Sequence, residues 1–281
     1  MGPARHLQLR KSGLFRIAPL CAALILAAAA SATRAAGWQS TVSKDPPGSF
    51  PMFRPLRATY VFGWSGLTAA TGDVRISRLP QDRIQIEATG RTTGLVRALW
   101  RYDVNYRAVG DTSTLRPVET SQNETVRSKR MVTHLTFTSA GVTRARTEGP
   151  GAGTTNTKEY KFPNLLDLQS AMLYLRSQPL KEKSSYRVVV YPATNAYLAT
   201  VTVLGREKIS VRAGSYNAIK LDLQLSKVGK TNELEPHRKF RRANIWISDD
   251  SDRLVLRIEA QIFVGTIFAD LQSVRFEGVK P

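Results

Sequence analysis

The chain has 281 residues, 42% of them hydrophobic, with 41 Lys and Arg against 22 Asp and Glu, a formal net charge of +19. The hydrophobic share supports a packed core, and the length allows one large β domain or two smaller ones. A single cysteine, Cys21, excludes an internal disulfide and every cysteine-based metal cluster.

The first thirty or so residues read as an export signal. Arg5, Arg10, Lys11 and Arg16 form a positive opening with no acid among them. Ile17 to Ala30 is almost wholly apolar, and Ala30-Ser31-Ala32 supplies the small residues of a cleavage site. The apolar run is shorter than the roughly 20 residues a membrane span needs. A cleaved signal peptide over 1–32 is therefore expected, with the periplasm as destination. Cys21 follows Leu20 inside the apolar run, whereas a lipid-bearing cysteine would follow that run behind Gly or Ala, so it should leave with the signal. Cleavage takes away four bases and no acid, which lowers the charge from +19 to +15. Outside the cytoplasm, that charge points to anionic lipid, lipopolysaccharide phosphate or acidic glycan as partner, and not to nucleic acid. No later segment has the length and apolarity of a transmembrane helix.

Residues 33–55 follow as a linker, with Pro46, Pro47, Pro51 and Pro55 fixing φ and removing backbone donors. A single β-rich domain over 56–281 is expected after it. Arg57 to Trp64, Thr71 to Leu79 and Arg83 to Gly90 alternate apolar and polar residues, as half-buried antiparallel strands do. Further strands are predicted at Trp100 to Val109, Leu115 to Asn123, Met131 to Thr138 and Val142 to Thr147, with a Gly/Thr loop from Gly149 to Thr155. One segment changes period. From Leu165 to Ser177 apolar residues recur at three and four, Asn164 can cap the start, and Pro179 ends the run, so one amphipathic helix is predicted. Strands resume at Tyr186 to Tyr191, Ala196 to Leu204, Glu207 to Arg212, Tyr216 to Leu225, Phe240 to Ser248, Leu254 to Gln261 and Gly265 to Phe276. The fold class is mainly β: a large antiparallel curved sheet, barrel or sandwich, with one amphipathic helix near the middle.

Chemistry is sparse. Only His134 and His237 survive cleavage; alternation puts His134 on a strand surface and His237 in a charged loop. No histidine pair has zinc spacing, and no G-x-S-x-G elbow is present. Asp249-Asp250-Ser251-Asp252 lacks the Gly and distal Glu of a calcium loop and reads as a hairpin turn. No catalytic residue, metal or cofactor is assigned. Arg127-Ser128-Lys129-Arg130 and His237 to Arg242 are basic clusters suited to anionic head groups or to solvated turns.

The run from Val203 through Gly205-Arg206-Glu207-Lys208-Ile209 and Ala213-Gly214-Ser215-Tyr216-Asn217-Ala218-Ile219-Lys220, followed by Ile245-Trp246-Ile247-Ser248-Asp249-Asp250-Ser251-Asp252-Arg253, resembles the bacterial exported family called domain of unknown function 3108. Tyr60 to Trp64 with Gly66, and the segment with Asp167 and Ser170, look like that family's opening strand and middle. Val255 departs from it, standing where many members carry Pro. The resemblance implies an exported β-rich domain and carries no reaction and no site residues with it. Gly205 and Gly214 suit turns between short strands.

The reading that follows is a non-enzymatic periplasmic binding or scaffold protein for an amphiphilic or anionic envelope molecule. Trp64, Trp100, Tyr102 and Trp246 are the candidate ligand-stacking residues, with Arg241 and Arg242 meeting the anion; Trp246, beside the Asp turn, reads as a core residue as well. The alternative is a glycan-binding or glycan-processing protein, in which the same aromatics stack on sugars and Asp167 and Asp249 are the carboxylates.

Overall fold

The computed structural model describes residues 37–48, 53–149, 153–237, 240–262 and 265–278; the export signal expected over 1–32 lies outside them. The chain separates into two compact units, Met1–Thr41 and Val42–Pro281. The described part of the first is one 3-10 turn, Trp38–Thr41, in which Ser40 Oγ and Thr41 Oγ1 donate to the carbonyls of Gly37 and Trp38, each at 2.6 Å.

The second unit is built on one antiparallel sheet. Its first half comprises β1 (Leu56–Trp64), β2 (Leu67–Leu79), β3 (Arg83–Thr92), β4 (Tyr102–Asp111), β5 (Pro117–Val126), β6 (Lys129–Thr138), β7 (Gly141–Glu148) and β8 (Thr154–Lys161). Its second half comprises β9 (Ser185–Val190), β10 (Tyr197–Val211), β11 (Gly214–Val228), β12 (Leu234–Pro236), β13 (Phe240–Ser248), β14 (Val255–Ile262) and β15 (Thr266–Phe276). Two helices interrupt it, α1 (Gly94–Leu99) and α2 (Leu168–Ser177).

The strand order is β8-β7-β6-β5-β4-β3-β2-β1-β15-β14-β13-β11-β10-β9, with β12 paired to β11. The chain therefore starts in mid-sheet and walks to the β8 edge. It crosses by way of α2 to the β9 edge and walks back until β15 lies beside β1. Register shifts at Thr59/Tyr60, Phe62/Gly63, Val109/Gly110 and Val203/Gly205 mark bulges, each of which bends and twists its strand. The bending brings the two edges into reach of each other. Tyr160 of β8 stacks on Tyr191, just past β9, with ring centroids 5.5 Å apart. No strand ladder joins β8 to β9 among the described residues, so the sheet curls round to a seam.

Alternation sets the core as the sequence suggests. Ile84, Ile86, Ala58, Leu56 and Ile76 turn inward, meeting Ala218, Trp246, Leu256 and Leu271 from the second half. The helix serves three clusters: Leu173 joins that one, Leu175 packs with Leu180, Ile219 and Ile247, and Tyr174 packs with Leu166, Val190 and Ala199. A crossover helix packed on more than one side must be apolar on more than one side, and here it is.

Several boundaries differ from the sequence reading. The helix begins at Leu168, capped by Asp167, whose side-chain oxygen accepts from the Ser170 amide at 2.6 Å; Asn164 instead adopts a left-handed backbone. The two strands expected on either side of Gly205 are one 15-residue strand, β10. Gly205 sits at its bulge, where Leu204 is the extra residue, while Gly214 does begin a strand after a two-residue turn. The Gly/Thr loop is shorter than expected because Thr154–Lys161 forms β8. Its sequence TTNTKEYK is polar on both faces and so carries no alternation to read. Helix α1 was not expected: six residues are too few to declare a period. From the stretch expected as a linker, Ser43 donates its amide to the Arg187 carbonyl at 2.7 Å, and Gly48 donates to Ser177 Oγ at 3.1 Å. The proline-rich residues 43–48 thus lie along β9 and the end of α2.

Candidate functional site

Most strands meet their neighbours at one end through short tips, and one such end carries most of the exposed large apolar side chains. The β1–β2 tip presents Phe62, Trp64 and Leu67; α1, between β3 and β4, presents Leu95 and Leu99, followed by Trp100; β15 opens with Ile267. Leu67, Leu95 and Leu99 are 69%, 77% and 72% exposed. Pairing fixes their proximity. Trp64 lies opposite Leu67 on one side and Ile267 on the other, and Ser65 donates its amide to the Thr266 carbonyl at 2.8 Å. Thr93, the residue before α1, donates to the Ala69 carbonyl at 2.9 Å, which pins the helix to the start of β2. Thr92 Oγ1 donates to the Trp100 carbonyl at 3.0 Å and accepts from the Tyr102 amide at 3.1 Å, so the exit of α1 is held as firmly as its entry.

A helix of this length is not stable by propensity alone. It survives here because both ends are tied to the sheet, and yet none of its residues is buried. Its apolar side chains are held out in solvent by a rigid scaffold. Exposed apolar clusters of this kind, rimmed by polar residues, mark interaction surfaces in soluble proteins.

The rim is basic. Arg97 and Arg101 share one carboxylate, Asp103, at 2.8 and 3.1 Å. Those two guanidinium groups hold Asp103 below the usual carboxylate range. The β5–β6 tip adds Arg127, Lys129 and Arg130, all exposed, and no carboxylate lies within ion-pair distance of them among the described residues. Arg127 donates its amide to the Arg101 carbonyl at 2.7 Å, which fastens this tip beside α1. Its guanidinium lies over the Trp100 ring, 4.7 Å from the centroid.

The residues read from the sequence divide into two groups. Trp64, Trp100 and Tyr102 come together at this end. Tyr102 is half-buried, and its phenol is raised by burial and by donating to Glu124 Oε1 at 2.8 Å. Trp246 lies elsewhere. It is 6% exposed in the core, donating Nε1–H to Glu207 at 2.6 Å, with the Lys220 ammonium 5.1 Å from its ring centroid. Arg242 belongs to β13 with Arg241, and pairs with the buried Asp222 at 2.7 Å. The carboxylates nominated for glycan chemistry are also engaged: Asp167 is a buried helix cap, and Asp249 accepts from Arg206 at 2.8 Å. Asp250 accepts from the Asp252 and Arg253 amides, each at 3.0 Å, so the acidic run is a turn closed on itself. Sequence reasoning missed Leu67, Leu95 and Leu99, which single apolar residues among Gly, Thr and Arg do not announce.

A concavity of about 550 Å³ opens on the outer face of β3 to β6, lined by Glu87, Asn105, Arg107, Glu119, Asn123 and His134 among others. Arg107 stands between its two acids and donates to Glu119 at 2.9 Å. Tyr106 lines it only from below, its hydroxyl directed to Asp167 on the inner side at 3.3 Å.

The sequence profile of one protein family, described as a protein of unknown function, DUF3108, matches residues 58–272. The chain belongs to DUF3108. No curated protein matches it. Among solved structures, this DUF3108 chain is similar to a beta-barrel-like protein of the DUF1849 domain from Brucella abortus, at 9% identity and a TM-score of 0.54, over 82% of this chain and all of that one. A DUF1089 family protein from Pseudomonas aeruginosa aligns at 13% identity and a TM-score of 0.36, over 69% of this chain and 90% of that one. The first likeness agrees with the curled sheet described above. Among the described residues, no helix is long and apolar enough to cross a membrane, and no cluster of His, Cys, Asp and Glu could hold a metal ion.

Proposed function

We propose that this DUF3108 protein is an exported, non-enzymatic envelope protein that docks on an anionic lipid surface through the α1 end of its sheet. The carrying observation is the coincidence of exposed Trp64, Leu67, Leu95, Leu99 and Trp100 with Arg127, Lys129 and Arg130 on one end of a rigid sheet. Indole rings favour the zone between head groups and acyl chains, and leucines on a short helix reach just below it. Basic residues beside them attract anionic lipid at about 1 kcal/mol each close to the surface. The export signal expected over residues 1–32 supports a periplasmic setting, where an anionic lipid surface is at hand.

Co-sedimentation with vesicles tests the reading. The protein should pellet with vesicles containing phosphatidylglycerol and stay in solution with phosphatidylcholine alone, and added salt should weaken the association. Trp100→Ala with Leu95→Asp should abolish it without unfolding the protein, since neither side chain is buried. Failure of the parent protein to bind anionic vesicles at low salt would sink the proposal.

A further inference from the structure

The seam between β8 and β9 holds a cation without a counter-ion. Arg144, on β7, is 8% exposed, yet no ion pair to it and no hydrogen bond from its side chain occurs among the described residues, and its Nε is buried without a partner. Among the described residues the other two buried arginines also lack a hydrogen bond at Nε, but each has an acceptor or an acid at hand: Arg176 donates through Nη2 to the Asp252 carbonyl at 2.8 Å, and Arg253 lies 3.7 Å from Asp249. A buried guanidinium N–H with nothing to accept its proton is costly, and native proteins keep few of them.

The surroundings describe the missing partner. Val142 of β7 is paired with Tyr160 of β8, and Arg144 lies two residues along the same face from Val142, so Arg144 and Tyr160 are diagonal neighbours. The Tyr160 hydroxyl is also buried without a hydrogen-bond partner. Its ring stacks on Tyr191, whose phenol is raised by burial and pulled back by the nearby charge of Arg144. Glu233 is the acid felt by Tyr160, and it is occupied in its own loop, accepting from the Thr231 amide at 3.0 Å. On the other side of the seam, Leu166, Val190 and Ala199 form an apolar cluster with Leu223 and Leu225. Two orphaned donors, the Arg144 Nε–H and the Tyr160 O–H, beside a gap in the sheet and next to apolar side chains, suit a group with only acceptors.

We infer that Arg144 and Tyr160 form a binding site for an oxyanion, a carboxylate or phosphate, entering at the seam between the two sheet edges. This site is separate from the docking end and does not depend on it. The oxyanion would take the forked guanidinium N–H groups and the Tyr160 O–H. It can be carried by an amphiphile whose tail lies along the Leu166–Val190 cluster, or be a free anion.

Thermal unfolding of the full mature protein, titrated with dodecyl phosphate, inorganic phosphate and the neutral dodecyl maltoside, reads the site directly. Dodecyl phosphate should raise the midpoint in proportion to its concentration, and dodecyl maltoside should not. A comparable rise with inorganic phosphate would identify a free-anion site, and a rise with dodecyl phosphate alone a head-group site; either supports the assignment. Arg144→Met should lose about tenfold or more in affinity, while its unliganded midpoint stays equal or rises, since an uncompensated charge has been removed. Tyr160→Phe, which keeps the ring stack, should lose a few-fold. Equal affinity of Arg144→Met for dodecyl phosphate, an Arg144→Met variant that unfolds, or no response of the parent protein to either phosphate would overturn it.

Discussion

The guanidinium of Arg127 sits over the indole of Trp100, 4.7 Å from the ring centroid, and joins two tips of the sheet that are distant in sequence. At an exposed site such a contact is worth about 0.5–1 kcal/mol. The pair is therefore a minor contributor to stability and a major part of the surface that α1 presents. Replacing Arg127 with Ala should change the unfolding free energy by no more than about 1 kcal/mol. The same change should weaken binding to anionic vesicles and flatten its salt dependence, because one head-group contact is lost. Urea unfolding and vesicle sedimentation on the same preparation separate the two. A loss of stability well beyond that figure would make Arg127 a structural residue.

Much of the sheet was legible in the sequence because one of its faces is buried. Ile84 and Ile86 lie among polar neighbours and fall inside, and His134 is exposed between buried Thr133 and Leu135, as alternation requires. Where both faces are polar, as in β8, the period vanishes and the strand went unread. The net positive charge was visible as a total, but its use was not: Arg242 is spent on Asp222, whereas Arg127 has no carboxylate partner among the described residues and lies over Trp100. Only topology decides which bases meet acids. The same holds for the aromatics. Trp64 and Trp246 both end or follow apolar runs, yet one lies at a strand tip and the other in mid-strand against the core.

That division makes Trp246 a control. Its indole N–H donates to Glu207, and the Lys220 ammonium lies near both. Trp246→Phe keeps most of the apolar area and removes a hydrogen bond to a charged acceptor, a loss of about 1.5–3 kcal/mol. Chemical denaturation should show this destabilisation, and vesicle binding of the folded variant should match the parent. Impaired lipid binding with unchanged stability would return Trp246 to the surface role that Trp64 and Trp100 fill at the α1 end.

Gly63 is required by a close approach and not by its torsion angles. It pairs with Phe268 of β15 next to the β1 bulge, and a Cβ built on it would lie 2.2 Å from the Phe268 ring and 2.3 Å from the Leu67 carbonyl. The ring covers the glycine, a known way of protecting a backbone position that lacks a side chain. Gly63→Ala must displace either the ring or the β1–β2 tip, and should cost about 1–3 kcal/mol. Because that tip carries Phe62, Trp64 and Leu67, vesicle binding by the variant should fall further than it does for Arg127→Ala. Hydrogen exchange across β1 and β2 would locate the disturbance.

Asp167 gives the fold a pH dependence of definite sign. Burial pushes its carboxyl above the ordinary carboxylate range, outweighing the bonds it accepts from the Ser170 amide and the Tyr106 hydroxyl. A carboxyl that holds its proton more tightly in the native state than in the unfolded chain stabilises most at low pH. That contribution is lost as pH rises from the unfolded value of about 3.9 through the raised native one. Asp167→Asn stays neutral at every pH and is still a good helix cap, so its stability should not decline over that window. The difference in unfolding free energy between Asn and Asp should therefore move in favour of Asn as pH climbs from about 4 to 7. Asp167→Ala, which loses the cap, should be destabilised by about 1–2 kcal/mol throughout. Urea titrations of the three proteins across that range decide it. Parallel curves for Asp and Asn would mean that the carboxyl is ionised in the native state over the whole window, and that the bonds from Ser170 and Tyr106 outweigh the burial.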